Sequence, residues 1–306
     1  MQAASIQEFG SHADLAMHTI ALPAPGAGEV AVRIEAAAVN PLDVKMIAGY
    51  MQQVFPAALP YTPGTDFSGV VTSLGAGAHG LEVGDRVVGR REPGGGGALA
   101  EYTLAQADTL VVIPDTMSYE QAAALPTAFG TARQALFDAG RLRAGQRVLV
   151  HAGAGGVGSF AIQLAKGCGA YVAATASAGN LALLKELGAD DAIDYRADDF
   201  TRLSGFDLVL DTVGGDTLAR SWQVLAEGGT LATLVDFAIA PQDGRHGSFV
   251  FFADATAALR EAMTMFGDGR LQIVIDSLYP LDQAGAALHK VAAGHARGKV
   301  IVRAAR

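Results

Sequence analysis

Between residues 119 and 252, short runs of apolar residues alternate with stretches whose apolar positions recur every three or four residues. The first kind reads as buried strands and the second as helices. Strands are expected at 147–151, 171–176, 191–194, 206–211 and 229–235. A sixth, Ser248-Phe-Val-Phe-Phe252, comes late. Alternating strand and helix predict a parallel sheet with helices on both faces, an α/β fold. The stretch 148–184 carries Lys166 as its single Lys, Arg, Asp or Glu. Its glycines and changing periodicity fit strands buried on both faces better than a membrane span. The strand at 248–252 is aromatic and uncharged, a hazardous edge if left open. It either pairs with a second subunit across a two-fold axis, giving a homodimer, or is covered by the other domain.

Before residue 119 the pattern changes. Glu29-Val-Ala-Val-Arg-Ile-Glu35 alternates apolar and polar, as a half-buried strand does. The segments 69–75, 85–89 and 99–104 add short strands between glycine turns, and a compact, mostly-β domain is expected. The tail 271–306 reads strand, helix, strand, and its pattern leaves open which domain it joins. Gly94-Gly-Gly-Gly97 is expected to be a flexible surface loop.

Composition then limits the function. A length of 306 residues suggests about two domains, and 50% hydrophobic with 17% charged residues excludes disorder. Lys and Arg number 22 against 31 Asp and Glu, a net charge of −9. That balance disfavours nucleic acid and anionic membrane as partners. The one cysteine, Cys168, allows neither an intrachain disulfide nor a cysteine zinc cluster, and reads as a packing residue. The N-terminus lacks the basic start and apolar run of a signal peptide, so a cytoplasmic protein is expected.

The strongest chemical signal is Val148-Leu-Val-His-Ala-Gly-Ala-Gly-Gly-Val-Gly158, a strand running into Gly153-x-Gly155-x-x-Gly158 and then a helical pattern. That context marks a dinucleotide site. Gly153 is expected to allow the tight turn, Gly155 to let backbone approach a pyrophosphate, and Gly158 to let helix and strand pack closely. The phosphates would rest on the amides of Gly156, Val157 and Gly158, at the positive end of the helix. NAD binders carry an acid about 20 residues after the glycines, on the ribose. This chain has Thr175-Ala-Ser177 there, with no Asp or Glu. Thr175 and Ser177 offer hydroxyls to a 2′-phosphate, so NADPH is favoured over NADH. Ligands of an open parallel sheet lie beyond the carboxyl ends of its strands. This brings Asp211-Thr-Val-Gly-Gly215 and Leu234-Val-Asp-Phe237 towards the reactive ring. Tyr50 and Tyr61 are candidates for walls of a substrate pocket, or packing residues.

An ordered series of segments runs through Val39-Asn-Pro-Leu-Asp-Val-Lys45, 59–71, Gly84-Asp-Arg-Val-Val88, Ala123-Ala-Leu-Pro126, Gly130-Thr-Ala132, the glycine turn, Leu187-Gly-Ala-Asp190, Asp194-Tyr195, 206–215 and Gly294-His-Ala-Arg-Gly-Lys299. Through these segments the chain resembles the medium-chain dehydrogenase/reductase superfamily, in its zinc-independent quinone oxidoreductase and enone reductase branch. It implies a GroES-like catalytic domain from residues 1–118 and 267–306, a Rossmann domain inserted at 119–266, and an active site in the cleft. It implies that Asn40, Asp43 and Lys45 line the catalytic side, with Lys45 either on the ribose or substrate carbonyl or a solvated surface lysine, and Asp43 more a structural residue pinning the turn after Asn40-Pro41. Thr131, Tyr195 and Lys299 would lie beside the cofactor. Many relatives have a lysine where this chain has Asn180, so one phosphate-binding charge is missing. Zinc-dependent relatives carry a cysteine at the position of Asn40 and a His-Glu pair at Thr65-Asp66. Asn and Thr are poor zinc ligands, so no metal is expected. The implied activity is hydride transfer from NADPH to a quinone or α,β-unsaturated carbonyl. The alternatives are a trans-acting enoyl-thioester reductase, or an NADPH-binding redox sensor or nucleic-acid binder with little turnover.

Overall fold

The computed structural model describes residues 1–252 and 254–304. The chain opens with an antiparallel pair, β1 (Gln2–Ser5) and β2 (Ala16–Thr19). Then come β3 (Glu29–Val39), α1 (Pro41–Ile47), β4 (Asp66–Leu74), β5 (Arg86–Arg90), β6 (Tyr102–Gln106), β7 (Val111–Val112) and α2 (Tyr119–Ala123). A second series follows: α3 (Pro126–Arg133), β8 (Arg147–Val150), α4 (Gly156–Gly167), β9 (Tyr171–Ala176), α5 (Leu181–Glu186), β10 (Asp191–Asp194), β11 (Phe206–Asp211), α6 (Gly215–Ser221), β12 (Leu225–Thr233) and β13 (His246–Phe249). The tail adds α7 (Thr256–Gly267), β14 (Ile275–Pro280), α8 (Ala284–Ala292) and β15 (Lys299–Arg303). No helix among the described residues is long and apolar enough to cross a membrane.

Two compact units result. The first takes Met1–Thr127 and Asp254–Arg306. Its sheet runs β14-β15-β3-β4-β5-β7, with β6 also on β3. β3 is the spine, because its 11 residues are long enough to hold β15, β4 and β6 at once. Val30, Val32 and Ile34 point into the main core, and Ala37 and Val39 continue on that face. The period-two alternation slips by one residue between Ile34 and Ala36, where the pairing with β4 shifts register. A bulge of this kind re-aims the strand without breaking it. The slip turns Ala36 and Ala38 to the other face, against Ala123, Ala124 and Ile301. The tail therefore joins the first unit, through β15 on β3 and through Ala284, Ala287 and Leu288 of α8 in its core.

The second unit takes Ala128–Ala253. Its six strands are all parallel and lie in the order β10-β9-β8-β11-β12-β13. Numbered within the unit, that order is 3-2-1-4-5-6, the Rossmann arrangement, whose switch point lies between β8 and β11.

Three expectations need correction. The units meet in sequence at 127/128 and 253/254 rather than at 118/119 and 266/267. The reason is that α2 packs its alanines on the first unit's sheet, while α7 falls with the first unit. The late strand forms at His246–Phe249, earlier than 248–252, and sits at the edge of the sheet. Phe252 lies beyond the strand; a Cβ on Gly130 would meet its ring at 2.1 Å. Gly94–Gly97 is not a loose loop. Arg91 Nε donates to the Gly96 carbonyl at 2.9 Å, and Gly97 N to Thr62 O at 2.8 Å. A Cβ on Gly96, where φ is +51°, would lie 2.1 Å from the Thr62 carbonyl oxygen.

A loose loop tolerates alanine, whereas this one does not have the space. Gly96→Ala is expected to cost about 2 kcal/mol or more and to lower Tm by about 4 °C or more, measured by calorimetry. An unchanged Tm would mean that the loop yields.

Candidate functional site

In the second unit the backbone between β8 and α4 is packed as tightly as chemistry allows. A Cβ on Gly158 would meet Ala152 O at 2.4 Å and Gly153 Cα at 2.7 Å. A Cβ on Gly153 would press on Ile162, Leu184 and Ala174 at 2.9–3.0 Å. At Gly155 the nearest atom is Ala152 O at 3.2 Å. Gly153 and Gly158 are thus needed for the approach of helix to strand, and Gly155 leaves a cradle. The left-handed turn itself falls on Ala152, with φ +51°, not on the first glycine. Gly155 N-caps α4 without a side chain. The first amides of the helix, those of Gly156, Val157 and Gly158, therefore have neither an intrahelical acceptor nor, among the described residues, a capping oxygen, as an anion site requires.

Beneath the turn lies a hydrogen-bond chain that fixes a proton position. The Ala152 amide donates to Thr175 Oγ1 at 3.3 Å, and Thr175 Oγ1 lies 3.2 Å from His151 Nδ1. His151 Nε2 lies 3.0 Å from Ser221 Oγ, which donates its one proton to Thr217 O at 2.7 Å. A hydroxyl has one proton to give. Nε2 must therefore carry the imidazole proton, and Nδ1 accepts from Thr175. The chain ties β8, β9 and α6 together and holds Ala152 in place. Thr175 is buried and engaged here, so its hydroxyl faces His151 rather than a ribose.

At the ends of the neighbouring strands, Ser177 Oγ accepts from Asn180 Nδ2 at 3.2 Å, and Tyr195 N donates to Ala176 O at 3.1 Å. That pairing brings Ser177, Tyr195 and Arg196 to one sheet end. Arg196 is exposed, its Nε is 3.3 Å from the Tyr195 hydroxyl, and among the described residues no carboxylate side chain forms an ion pair with it. Asp211 is buried at the end of β11. Its carboxylate accepts from Val213 N at 3.1 Å, Gly214 N at 2.9 Å and Thr233 Oγ1 at 2.8 Å. It shapes the loop rather than facing a ligand. Leu234 N donates to Asp211 O at 3.0 Å, and Val213, Val235 and Phe237 stand exposed at these strand ends. Thr131 is buried in α3.

The first unit holds a separate buried polar cluster. Asp66 accepts four hydrogen bonds: from Asn40 Nδ2 at 3.0 Å, Thr127 N at 3.0 Å, Thr127 Oγ1 at 2.6 Å and Thr65 Oγ1 at 3.1 Å. Arg90 Nε donates to Thr127 Oγ1 at 3.1 Å. Lys299 Nζ donates to Val39 O at 3.1 Å and to Asn40 Oδ1. Asp43 Oδ2 accepts from Asn40 N at 2.7 Å, closing the start of α1, while its buried Oδ1 has no partner among the described residues. Burial pushes the Asp43 carboxyl up to about 7, opposed by the Asn40 amide and the Lys299 charge. Burial also pulls the Lys299 ammonium down, opposed by Asp66 and Asp43.

These contacts settle whether the residues fit zinc, and they do not. Both ends of the Asn40 amide are engaged, the four acceptor positions of Asp66 are filled, and an ammonium is bonded to Asn40. Among the described residues no group of three His, Cys, Asp or Glu is placed to hold a metal ion. The expected catalytic residues divide accordingly. Asn40 and Asp43 are buried in the cluster with Lys299, whereas Lys45 is exposed on α1. Tyr61 is buried, its hydroxyl donating to Pro93 O at 2.7 Å, and burial raises its pKa; Tyr50 is 81% exposed.

Residues 26–115 match the family described as "Alcohol dehydrogenase GroES-like domain", and residues 187–302 the family described as "Zinc-binding dehydrogenase". The chain is 32% identical to the chloroplastic quinone-oxidoreductase homolog of Spinacia oleracea over 322 aligned positions, covering 99% of this chain and 98% of that protein. It belongs to the medium-chain dehydrogenase/reductase superfamily, in the quinone and enone oxidoreductase branch. Within this superfamily it is also 37% identical to the 2-methylene-furan-3-one reductase of Solanum lycopersicum, covering 99% of this chain and 79% of that one. The solved quinone oxidoreductase of Coxiella burnetii superposes with a TM-score of 0.93 at 34% identity, covering 100% and 99% of the two chains. The sequence motifs located the glycine turn but not the roles of His151, Asp66 and Thr127. The one available signal for His151 was a polar residue ending the apolar strand Val148-Leu-Val150.

Burial holds the His151 imidazole down to about 4, against an ordinary value of 6.5. Between these values the unfolded chain takes up a proton that the folded chain refuses. This contribution to stability is complete above pH 6.5 and is lost as pH falls towards 4. The wild type is expected to lose up to about 3 kcal/mol more than His151→Gln over that interval, read from denaturant unfolding. Equal losses in the two proteins would show that another group titrates.

Proposed function

We propose that this chain is an NADPH-dependent reductase of quinones or α,β-unsaturated carbonyls that works without zinc. The observation that carries the cofactor choice is the pairing of strand ends: Arg196 and Tyr195 beside Ser177, with no acid at the end of β9. A 2′-phosphate needs a cation and hydroxyl donors, and an acid there would repel it. Arg196 supplies the charge that Asn180 does not. The cradle at Gly155 and the amides of Gly156, Val157 and Gly158 would hold the pyrophosphate. When bound, NADPH supplies a hydride, and a conjugated carbonyl accepts it readily because the negative charge spreads onto oxygen. The relatives' names point to that acceptor type: a quinone-oxidoreductase homolog and a 2-methylene-furan-3-one reductase.

This chain's own residues give that chemistry its setting. Asp211 and Thr233 fix the loop after β11 in one shape. Val213, Val235 and Phe237 provide an apolar surface at the strand ends, suited to a flat, weakly polar acceptor and to exclusion of water. In the first unit, Asn40 and Asp66, at the positions the resemblance matches to zinc ligands, are engaged by Lys299 and by four hydrogen bonds, and this supports the zinc-free reading.

The deciding assay follows NADPH and NADH oxidation, with zinc chelated, against naphthoquinone, phenanthrenequinone, an alkenal and an enoyl thioester. Turnover with a quinone or the alkenal, faster with NADPH, is the expected result. Turnover of the thioester alone, or tight NADPH binding without turnover, would overturn the reading. Arg196→Ala is expected to raise KM for NADPH about ten-fold or more, since charge-assisted bonds to phosphate are lost, with KM for NADH nearly unchanged. Equal effects on both cofactors would remove Arg196 from the phosphate site.

A further inference from the structure

Outside both polar assemblies, two histidines far apart in sequence meet at the surface of the first unit. His12 belongs to a single 3-10 turn, His12–Asp14, and His289 to α8. Their positions differ by 277 residues, yet His12 Nε2 lies 3.4 Å from His289 Nδ1. The rings are tilted by 41° with centroids 5.6 Å apart, so they converge through their nitrogen edges rather than stack. The separation is long for a hydrogen bond from a ring nitrogen, which centres near 2.9–3.0 Å. It does match the bite of a tetrahedral metal: two nitrogens each about 2.0–2.1 Å from zinc stand about 3.3 Å apart.

We propose that His12 and His289 form a surface chelate for zinc or a similar late first-row divalent cation. Imidazole suits such ions, and both side chains are accessible to solvent. Among the described residues no third His, Cys, Asp or Glu completes the set, so water fills the remaining positions. The chelate shares no residue with the Asn40–Asp66–Lys299 cluster. Its effect is mechanical: it clips the N-terminal turn to the C-terminal helix, and a ligand that binds only the folded state stabilises it by mass action.

The test titrates zinc chloride into the full-length protein in competition with a chromophoric chelator. One equivalent is expected to bind, and His12→Ala or His289→Ala should each weaken that binding by about ten-fold or more. Zinc should raise Tm in the wild type and not in the double variant H12A/H289A, whose Tm without zinc matches the wild type. Absence of wild-type binding, or zinc affinity unchanged in both single variants, would overturn the proposal.

Discussion

At Gly158 there is no room for a methyl group. The carbonyl of Ala152 and the Cα of Gly153 stand where a Cβ would be. This steric constraint sets how closely α4 approaches β8, and that closeness leaves the start of α4 open beside Gly155. The cradle proposed for the pyrophosphate follows from it. The turn would be costly to hold alone, since Ala152 adopts a left-handed conformation that residues other than glycine avoid. It is held by the chain from the Ala152 amide through Thr175 and His151 to Ser221. The imidazole performs this task only as the neutral form protonated on Nε2, because the Ser221 hydroxyl already gives its single proton to the Thr217 carbonyl.

The first unit answers a different electrostatic problem. Asp66 and Asp43 are both buried, and an uncompensated carboxylate in such surroundings is costly. Asp66 is stabilised by four donors and by Arg90 acting through Thr127. Asp43 has one amide and an unpartnered oxygen, so burial favours its protonated form. Lys299 brings a cation into the same cluster from the far end of the chain. The polar cluster thus joins β3, β4 and β15, and hydrogen bonds close it.

Much of this was legible in the residues. The parallel strands of the second unit lie almost where hydrophobic periodicity placed them, since strands buried on both faces carry a strong local signal. The glycine motif announced its cradle because three glycines at fixed spacing have few other uses. Gly94–Gly97 misled for the complementary reason: glycine marks both freedom and close approach, and sequence does not distinguish them. The strand at 246–249 was displaced from its expected position because an aromatic run pays no attention to which of its rings is needed elsewhere, here Phe252 over Gly130.

The sequence by itself determined the two kinds of unit, the dinucleotide turn and the missing acid after it, because each depends on neighbours within about thirty residues. Only the tertiary structure decided that Asn40 and Asp43 are buried and engaged while Lys45 is exposed. It also decided that Thr175 supports His151, and that Tyr195 and Arg196 arrive at the sheet end that carries Ser177. Those outcomes rest on burial and on hydrogen bonds between strands distant in sequence. A donor or acceptor has a direction only once the chain has closed around it.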